Sequence, residues 1–304
     1  AAQATKRNRQ SGFAYLARQG REDDTMILYI ASFPRSGNSW VAQILRNRFR
    51  LLTTDIHADQ ALLEAHAARH VSEQGYHGFA DLGLQDGDIG IPVWKQQSTD
   101  PPGPVQLLPM APLTPLFEDI EFRRKLAEHN TCFVVKTHLA PYDTYLEGEF
   151  VLQPIRHPGG STWSYYHFLR DMEGHDFTQE EVIKGTVGFG NWSKFHENWN
   201  RIRDTIGERF YRVRYEDIFD AEHRLADQIS GKFGLPVLST TSVPFAHLHA
   251  AFPLLARSGK AEAWRDHFSD EQVQILIECH GPQMNAFGYS AEQGQPTTSP
   301  SWLA

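Results

Sequence analysis

The chain has 304 residues, a formal net charge of −8 and 40% apolar residues. That apolar content supports a substantial core and excludes general disorder. The acidic balance argues against broad nucleic-acid or anionic-membrane binding, because both need a basic face. No apolar run is long enough to span a membrane, and two cysteines do not make a disulfide framework. We therefore expect a reduced, cytoplasmic protein.

The predicted elements alternate between short apolar strands and helices. In chain order, the predicted strands are Ile27–Phe33, Cys132–Thr137, Phe150–Ile155 and Phe210–Tyr215. The predicted helices are residues 39–52, 58–70 and 118–129, the stretch after Ser161, and residues 221–233. This alternation is typical of a parallel sheet covered by helices on both faces. We expect a single α/β domain at residues 26–290, between a flexible leader at 1–25 and a flexible tail at 291–304.

One segment departs from this alternation, because residues 92–115 contain seven prolines. Proline lacks a backbone N–H and fixes φ, so it interrupts helices and central strands. The pattern predicts a loop. Such a loop is either a plain surface excursion or part of a ligand pocket; we expect the pocket, because long loops often close over binding sites.

The first strand leads into a loop of small residues, and a helix follows. This phosphate loop, with the start of the helix, reads SFPRSGNSW from Ser32 to Trp40. A helix start presents backbone N–H groups and the positive end of the helix dipole, which suits a phosphate. Gly37 lets the backbone approach a ligand closely, and Arg35 adds a fixed positive charge. The G-x-x-x-x-G-K-[ST] spacing of nucleoside-triphosphate P-loops is absent, so the site is P-loop-like rather than a P-loop.

Two further segments carry basic residues beside small ones. The apolar strand at 150–155 ends at Arg156, and the helix after it carries Ser164. An arginine at the carboxyl end of a parallel strand lies where open α/β sheets bind ligands. The third segment reads RSGK from Arg257 to Lys260, and its two cations could hold a phosphate. Taken alone, the second segment is also consistent with a surface arginine and a helix-facing serine, and the third with an ordinary basic turn.

Together these segments resemble motifs of the cytosolic sulfotransferase family, enzymes that use 3′-phosphoadenosine 5′-phosphosulfate (PAPS). The phosphate loop is similar to the family's Y-P-K-S-G-T-T-W. Arg156 and Ser164, with YYHF directly after the serine, are similar to its 3′-phosphate motif. Residues 257–259, with Trp264 downstream, are similar to its late R-K-G motif. The resemblance covers residues 27–268, and several motifs in the same order are far more specific than any one.

The resemblance implies a site for PAPS. The phosphate loop would surround the 5′-phosphosulfate, Trp40 would stack on adenine, and Tyr215 would contact adenine. Arg156 and Ser164 would hold the 3′-phosphate, over which the late motif would close, and Phe245 would be a second adenine-stacking ring. The predicted cofactor-binding residues are Arg35, Ser36, Gly37, Asn38, Ser39, Trp40, Arg156, Ser164, Tyr215, Phe245, Arg257, Ser258 and Gly259.

The segment VVKTHL at 134–139 is similar to the family's V-K-T-H-L-P, whose histidine is the catalytic base. The resemblance implies that His138 removes the acceptor proton, for which an ordinary pKa of about 6.5 is suitable. Arg35 stands where the family usually has lysine. Since arginine stays charged, we expect Arg35 to stabilise the leaving phosphate rather than donate a proton. Lys136 is a second cation near the sulfuryl group or a cap on the sheet edge, and Ser164 restrains the site before the acceptor binds.

The predicted reaction moves a sulfuryl group from PAPS to a small organic acceptor without a metal, leaving 3′,5′-adenosine bisphosphate. The acceptor group is a hydroxyl, with an amine as the alternative. Trp192, His196 and Trp199 are expected to form core and pocket wall. The oligomeric state stays open, because the dimer motif K-x-x-x-T-V-x-x-x-E of many family members is absent.

Two other functions compete with sulfuryl transfer. One is a nucleotide-dependent phosphoryl transferase, which a magnesium requirement would indicate but which the missing Gly-Lys-Ser/Thr sequence disfavours. The other is a nucleotide-binding protein without catalysis, which His138 disfavours.

Overall fold

The structure is a computed structural model, and it describes most but not all of the chain. The described residues are 26–57, 76–81, 92–96, 105–107, 113–128, 132–219, 222–240, 249 and 262–290, with the backbone alone at 76–81, 92–96, 105–107 and 219. The predicted leader, the predicted tail and the predicted helix at 58–70 lie outside these residues.

A five-stranded parallel sheet forms the centre of the molecule. Its strands are β1 (Met26–Ala31), β2 (Thr53–Asp55), β6 (Cys132–Thr137), β7 (Glu149–Ile155) and β8 (Phe210–Arg214). The order across the sheet is β2-β6-β1-β7-β8, and every pairing is parallel. The predicted central parallel sheet is therefore confirmed, and β2 is an edge strand that the sequence did not reveal.

Helices cover both faces of this sheet, as predicted. The helices of the described residues are α1 (Asn38–Phe49), α2 (Leu113–Glu118), α3 (Ile120–Glu128), α4 (Pro158–Asp171), α5 (Gln179–Lys184), α6 (Trp192–Ile206), α7 (Tyr215–Phe219), α8 (Glu222–Phe233) and α9 (Asp270–Ala286).

Alternation along β1 separates two hydrophobic clusters. Leu28 and Ile30 face one cluster, to which α1 and α8 contribute. Ile27 and Tyr29 face the other cluster, to which α2, α3, α4 and α6 contribute. Because a buried strand must satisfy both faces, β1 reads as a continuous apolar run.

The proline-rich segment corrects one prediction. Residues 92–115 were expected to be loop, but they contain β4 (Pro92–Gln96), β5 (Val105–Leu107) and the start of α2. Together with β3 (Tyr76–Asp81) these strands form an antiparallel sheet in the order β3-β4-β5. The prolines do not prevent this, because Pro92 is the first residue of its strand, where a missing ladder hydrogen bond is tolerated.

The start of α4 differs from its predicted position near Ser161. The helix begins at Pro158, and the Nδ1 atom of His157 accepts a hydrogen bond from the Gly159 backbone N–H at 3.1 Å. Proline suits the first helical position because its missing N–H would have no partner there. The earlier start brings Ser161 and Ser164 into the first two turns, close to the carboxyl edge of the sheet. Among the helices of the described residues, none is both long and apolar enough to cross a bilayer.

Candidate active site

The predicted site residues follow the carboxyl ends of neighbouring parallel strands. The phosphate loop follows β1, His138 follows β6, Arg156 follows β7 and Tyr215 follows β8. The strand register aligns these ends, since Ala31 lies opposite Thr137 and Ile155 lies opposite Arg214. The parallel sheet therefore brings residues far apart in sequence to one edge.

The backbone of the phosphate loop has an unusual conformation. Gly37 has φ of 102°, and Arg35 has φ of 65°, in the left-handed region that side chains disfavour. A Cβ atom at Gly37 would lie 2.7 Å from Cδ2 of Tyr215. The N-cap residue of α1 is Gly37, which has no side chain to cap the helix, and the first turn of α1 contains no acidic residue. This edge of the sheet therefore combines a positive helix end with a close-packed glycine.

Two arginines converge on the loop. The Nε atom of Arg35 donates to Oγ of Ser164 at 3.2 Å, and Nη1 of Arg156 donates to the carbonyl oxygen of Arg35 at 3.2 Å. The Arg156 guanidinium also lies over the Tyr215 ring, 4.4 Å from its centroid. Ser36 and Ser161 are in hydrogen-bond contact through their hydroxyl oxygens at 3.2 Å. The structure thus brings the first and second predicted segments together.

His138 has a defined tautomer. Its Nδ1 atom lies 2.6 Å from the carbonyl oxygen of Ser32. Because a carbonyl can only accept, Nδ1 carries the proton and Nε2 keeps its lone pair. That lone pair accepts a 3.3 Å hydrogen bond from Nδ2 of Asn38, whose Oδ1 accepts from the Ser39 backbone N–H at 2.7 Å. The basic nitrogen therefore points at the first residue of α1.

The protein environment holds His138 neutral. Burial, and then the nearby Lys136 ammonium, lowers the pKa of His138 to about 3, although the Ser32 carbonyl acts in the opposite direction. The ordinary pKa assumed from the sequence therefore does not apply to the protein without its ligands.

Lys136 pairs with a residue that the sequence did not single out. Its Nζ atom donates to Oδ2 of Asp55, which lies opposite it across the β2–β6 pairing. Burial acts to raise the pKa of Asp55, but the Lys136 ammonium outweighs it and lowers that pKa below its ordinary value. The other carboxylate oxygen of Asp55 accepts the backbone N–H of His57 at 3.0 Å.

Two rings missed by the sequence analysis lie against His138. The imidazoles of His57 and His138 stack, with centroids 5.6 Å apart and planes at 10°. Phe189 lies against both, at 5.0 Å from His57 and 5.1 Å from His138, and 41% of its area is exposed. Its backbone N–H donates to the hydroxyl of Tyr165 at 3.1 Å. An apolar ring therefore faces solvent directly beside His138.

Four aromatic residues with predicted roles are core residues. Trp40 is only 4% exposed and packs among the aliphatic residues between α1 and the sheet, so its adenine contact stays a prediction. Trp192, His196 and Trp199 lie on the buried face of α6 and are almost completely inaccessible to solvent. This supports the core part of their expected role.

Of the late motif and its downstream tryptophan, only Trp264 lies within the described residues. Phe245, Arg257, Ser258 and Gly259 lie outside the described residues, so their roles stay predictions. Trp264, which follows them, stacks on His157 with ring centroids 4.9 Å apart and planes at 11°. A Cβ atom at Gly159 would lie 2.5 Å from the indole of Trp264. The chain after the late motif is thus anchored at the start of α4, next to Arg156.

A buried carboxyl group completes this support. Burial raises the pKa of Glu216, whose Oε2 accepts the hydroxyl of Tyr289 at 2.8 Å. Its Oε1 accepts the backbone N–H of His157 at 3.4 Å. Across the described part of the chain, no group of three His, Cys, Asp or Glu residues has an arrangement that could hold a metal ion.

A parallel α/β sheet with a phosphate loop, converging arginines and a neutral histidine at one edge defines a P-loop-like α/β protein. Comparison with known proteins narrows this class. The family described as "Sulfotransferase domain" matches residues 23–237, which is more than half of the chain. The chain therefore belongs to the sulfotransferase family, and the resemblance found in the sequence is confirmed.

Individual relatives are distant. Sulfotransferase 6B1 of Mus musculus is 27% identical over 169 residues, covering 48% of this chain and 55% of its own length. The chain thus spans about half the length of this curated relative. Mouse sulfotransferase SULT7A1 complexed with PAP has a TM-score of 0.53 at 16% identity, with 86% of this chain and 85% of that one covered. Retinol dehydratase, solved with androsterone and inactive cofactor PAP, has a TM-score of 0.50 at 14% identity, with 86% and 81% covered. These structures are similar in fold.

Proposed function

We propose that the chain is a PAPS-dependent sulfotransferase that acts on a hydroxyl group of a small organic acceptor. The observation that carries this proposal is the contact between His138 Nε2 and Asn38 at 3.3 Å. It joins an unprotonated nitrogen to the helix start that would hold the phosphosulfate. A general base must lie within hydrogen-bond reach of the reacting group, and this contact supports that geometry.

The residues fit a doubly phosphorylated adenosine. The positive end of α1 and the Arg35 guanidinium offer donors for a 5′-phosphosulfate. Arg156 and Ser164 offer donors for a 3′-phosphate, and a bidentate arginine is well suited to phosphate. Gly37 leaves the space that a Cβ atom would take from Tyr215. The donor supplies the sulfuryl group when it is bound.

The chain's own residues then have separate roles. The Nε2 atom of His138 takes the acceptor's hydroxyl proton, while Nδ1 keeps its proton on the Ser32 carbonyl. Arg35 opposes the negative charge that grows on the leaving phosphate, and Ser164 holds its guanidinium in place. Lys136 adds positive charge to the same edge, although its ammonium is paired with Asp55.

The surroundings of the base favour a hydroxyl on an apolar molecule. The partly exposed Phe189 ring lies beside His138, and it also contacts the His57 ring. An acceptor with a flat apolar body would cover these rings while its hydroxyl reaches Nε2. Retinol dehydratase, which is similar in fold, was solved with androsterone, and this agrees with an acceptor of that general kind.

The decisive experiment combines binding and transfer. Calorimetry with 3′,5′-adenosine bisphosphate tests the nucleotide site, and ³⁵S-labelled PAPS with a panel of phenols, steroids and alkyl alcohols tests transfer. We expect His138→Ala to bind the bisphosphate as the wild type does and to lose transfer by about 10²- to 10⁴-fold. His223→Ala, at an exposed position on α8, is the matched control.

The outcomes separate the competing functions. Bisphosphate binding without transfer to any acceptor would favour a non-catalytic nucleotide-binding protein. Transfer that needs magnesium and a nucleoside triphosphate would favour a phosphoryl transferase. Unchanged turnover in His138→Ala would remove His138 as the base.

A further inference from the structure

The end of the edge strand β2 brings a second histidine to the base. His57 lies two residues after Asp55, and 81 residues separate it from His138 in the sequence. Its Nε2 atom accepts the backbone N–H of His138 at 3.0 Å. Its ring also stacks on that of His138. One side chain therefore contacts both the backbone and the imidazole of the proposed base.

We propose that His57 is a positioning residue, which aims Nε2 of His138 at the acceptor hydroxyl by holding the His138 backbone N–H and imidazole. The proposal rests on the function proposed above and adds a residue to it.

The contact specifies the chemical state of His57. A nitrogen that accepts a hydrogen bond has a free lone pair, so Nε2 of His57 is unprotonated and the ring is neutral. A protonated imidazole has two N–H donors and no acceptor. Protonation of His57 would therefore remove the hydrogen bond to the His138 backbone. The Nε2–H group of His57 would then face the backbone N–H of His138, and two donors would repel each other.

The surroundings of His57 favour the accepting state. Burial lowers the pKa of His57 below its ordinary value, and the Lys136 ammonium acts in the same direction, against the Asp55 carboxylate. These two groups and the stacked His138 are the charged or titratable groups that act on this imidazole in the described residues. Since Lys136 and Asp55 are paired, their effects on His57 largely oppose each other.

The strand ends also fix where the His57 ring can lie. The Asp55 carboxylate holds both the Lys136 ammonium of β6 and the His57 backbone N–H. The carbonyl of Ile56, between them, accepts the Thr114 hydroxyl at 3.1 Å. On the open side, the Phe189 ring packs against His57 at 5.0 Å. Hydrogen bonds to the backbone around His57 therefore fix its position, and from that position its side chain can orient His138.

Positioning matters because proton abstraction depends steeply on geometry. A misplacement of about 1 Å can cost about 10²-fold in rate. His138 is the first residue after β6, so its backbone N–H lies beyond the sheet ladder. We expect His57→Phe, which keeps a ring but has no acceptor, to lower kcat by at least tenfold. The affinity for 3′,5′-adenosine bisphosphate should change by less than about twofold, because Arg35 and Arg156 are untouched.

The conservative variant is His57→Gln. Its side-chain oxygen can accept at nearly the position of Nε2 but cannot take up a proton near neutral pH. It should restore kcat to within about threefold of the wild type. His223→Phe, at an exposed position on α8, is the control for loss of a histidine.

The test that does not depend on turnover is NMR of the protein without ligand. In His57→Phe, the backbone amide of His138 should shift upfield and exchange faster with solvent, and in His57→Gln it should stay close to the wild-type position. In the wild type, this amide should follow the titration of the His57 imidazole, so the test stands even if His57→Phe does not fold.

The results separate this inference from the proposed function. If no acceptor is sulfated but the amide responds as expected, the proposed function fails and the His57 contact stands. If the amide is unchanged in His57→Phe and ignores the His57 titration, the inference is overturned. It is also overturned if His57→Gln is as slow as His57→Phe, because the accepting atom would then be irrelevant.

Discussion

Replacing Gly37 by alanine tests the nucleotide site most directly. The residue has φ of 102°, and an alanine Cβ atom would lie 2.7 Å from Cδ2 of Tyr215. A side chain held in such a sparsely populated backbone region costs about 1–3 kcal/mol. The Tyr215 ring must also move, and it now lies under the Arg156 guanidinium at 4.4 Å. Loss of that cation–π contact adds about 0.5–1 kcal/mol.

The combined cost of Gly37→Ala is about 1.5–4 kcal/mol, equivalent to roughly 10- to 1,000-fold in an equilibrium constant. Part of this cost falls on the free energy of unfolding and part on the affinity for 3′,5′-adenosine bisphosphate. Urea unfolding measures the first part and titration calorimetry the second. We expect the two losses to sum to at least about 1.5 kcal/mol.

The matched control is Gly231→Ala in α8, where an added Cβ atom would meet nothing within 4 Å. Alanine there should leave bisphosphate affinity unchanged and stabilise the helix by up to about 1 kcal/mol. The reasoning would be refuted if the stability and the bisphosphate affinity of Gly37→Ala were both within about 0.5 kcal/mol of the wild type. Ordinary surface substitutions have effects of about that size.

Three further predictions concern the supports of the site. Ser164→Ala removes the acceptor of the Arg35 Nε–H and should weaken bisphosphate binding by about tenfold, since hydrogen bonds to charged groups are worth about 1.5–3 kcal/mol; calorimetry showing unchanged affinity would contradict it. Gly159→Ala places a Cβ atom 2.5 Å from the Trp264 indole and should cost about 1–3 kcal/mol of overpacking, which would appear as a lower Tm than that of Gly231→Ala. Acid should destabilise the fold through histidines that are buried neutral and have pKa values of about 3 to 4: His138, His157 and His280. Between pH 7.5 and 5.5 the unfolded chain takes up protons at these positions and the folded chain does not, so stability falls by about 1.4 kcal/mol for each. Glu216 opposes part of this loss because burial raises its pKa. Urea unfolding at the two pH values should therefore show a loss of stability of a few kcal/mol. A loss below about 1 kcal/mol, which is less than a single histidine should contribute, would exclude this account.

The parts of the fold that the sequence predicted are those with a continuous local signal. The strand Cys132–Thr137 was predicted with the bounds that the structure has, because its first four residues form the apolar run typical of a strand buried on both faces. The same signal places Arg156 and His138 at strand ends. Since all these strands are parallel, their carboxyl ends meet at one edge, and the meeting of the first two motifs followed from the sequence.

The parts that were missed depend on contacts between distant residues. The edge strand β2 has three residues, Thr53–Asp55, and only its middle residue is buried, so no apolar run reveals it. Asp55 forms a hydrogen bond with Lys136, and His57 with His138, each between residues 81 positions apart in the sequence. Neither pair has a local pattern.

The proline-rich segment shows a different limit. Proline content predicts where a strand cannot continue, but it does not exclude a strand that begins at a proline, as β4 does at Pro92. In the same way, Ser161 is a better helix cap than His157 by type, yet His157 caps α4 because Pro158 follows it. Position relative to the proline, rather than the number of prolines, determined both outcomes.

The electrostatics of the proposed base, His138, should change when an anionic nucleotide binds. Burial, and then the Lys136 ammonium, lowers the pKa of His138 to about 3, and a base of that strength takes a proton reluctantly. A phosphosulfate at the start of α1 would bring negative charge close to Nε2, through Asn38, and nearby negative charge favours the protonated imidazole. His138 would then become a stronger base only after the nucleotide binds. An acceptor that arrives before the nucleotide would therefore meet a weaker base.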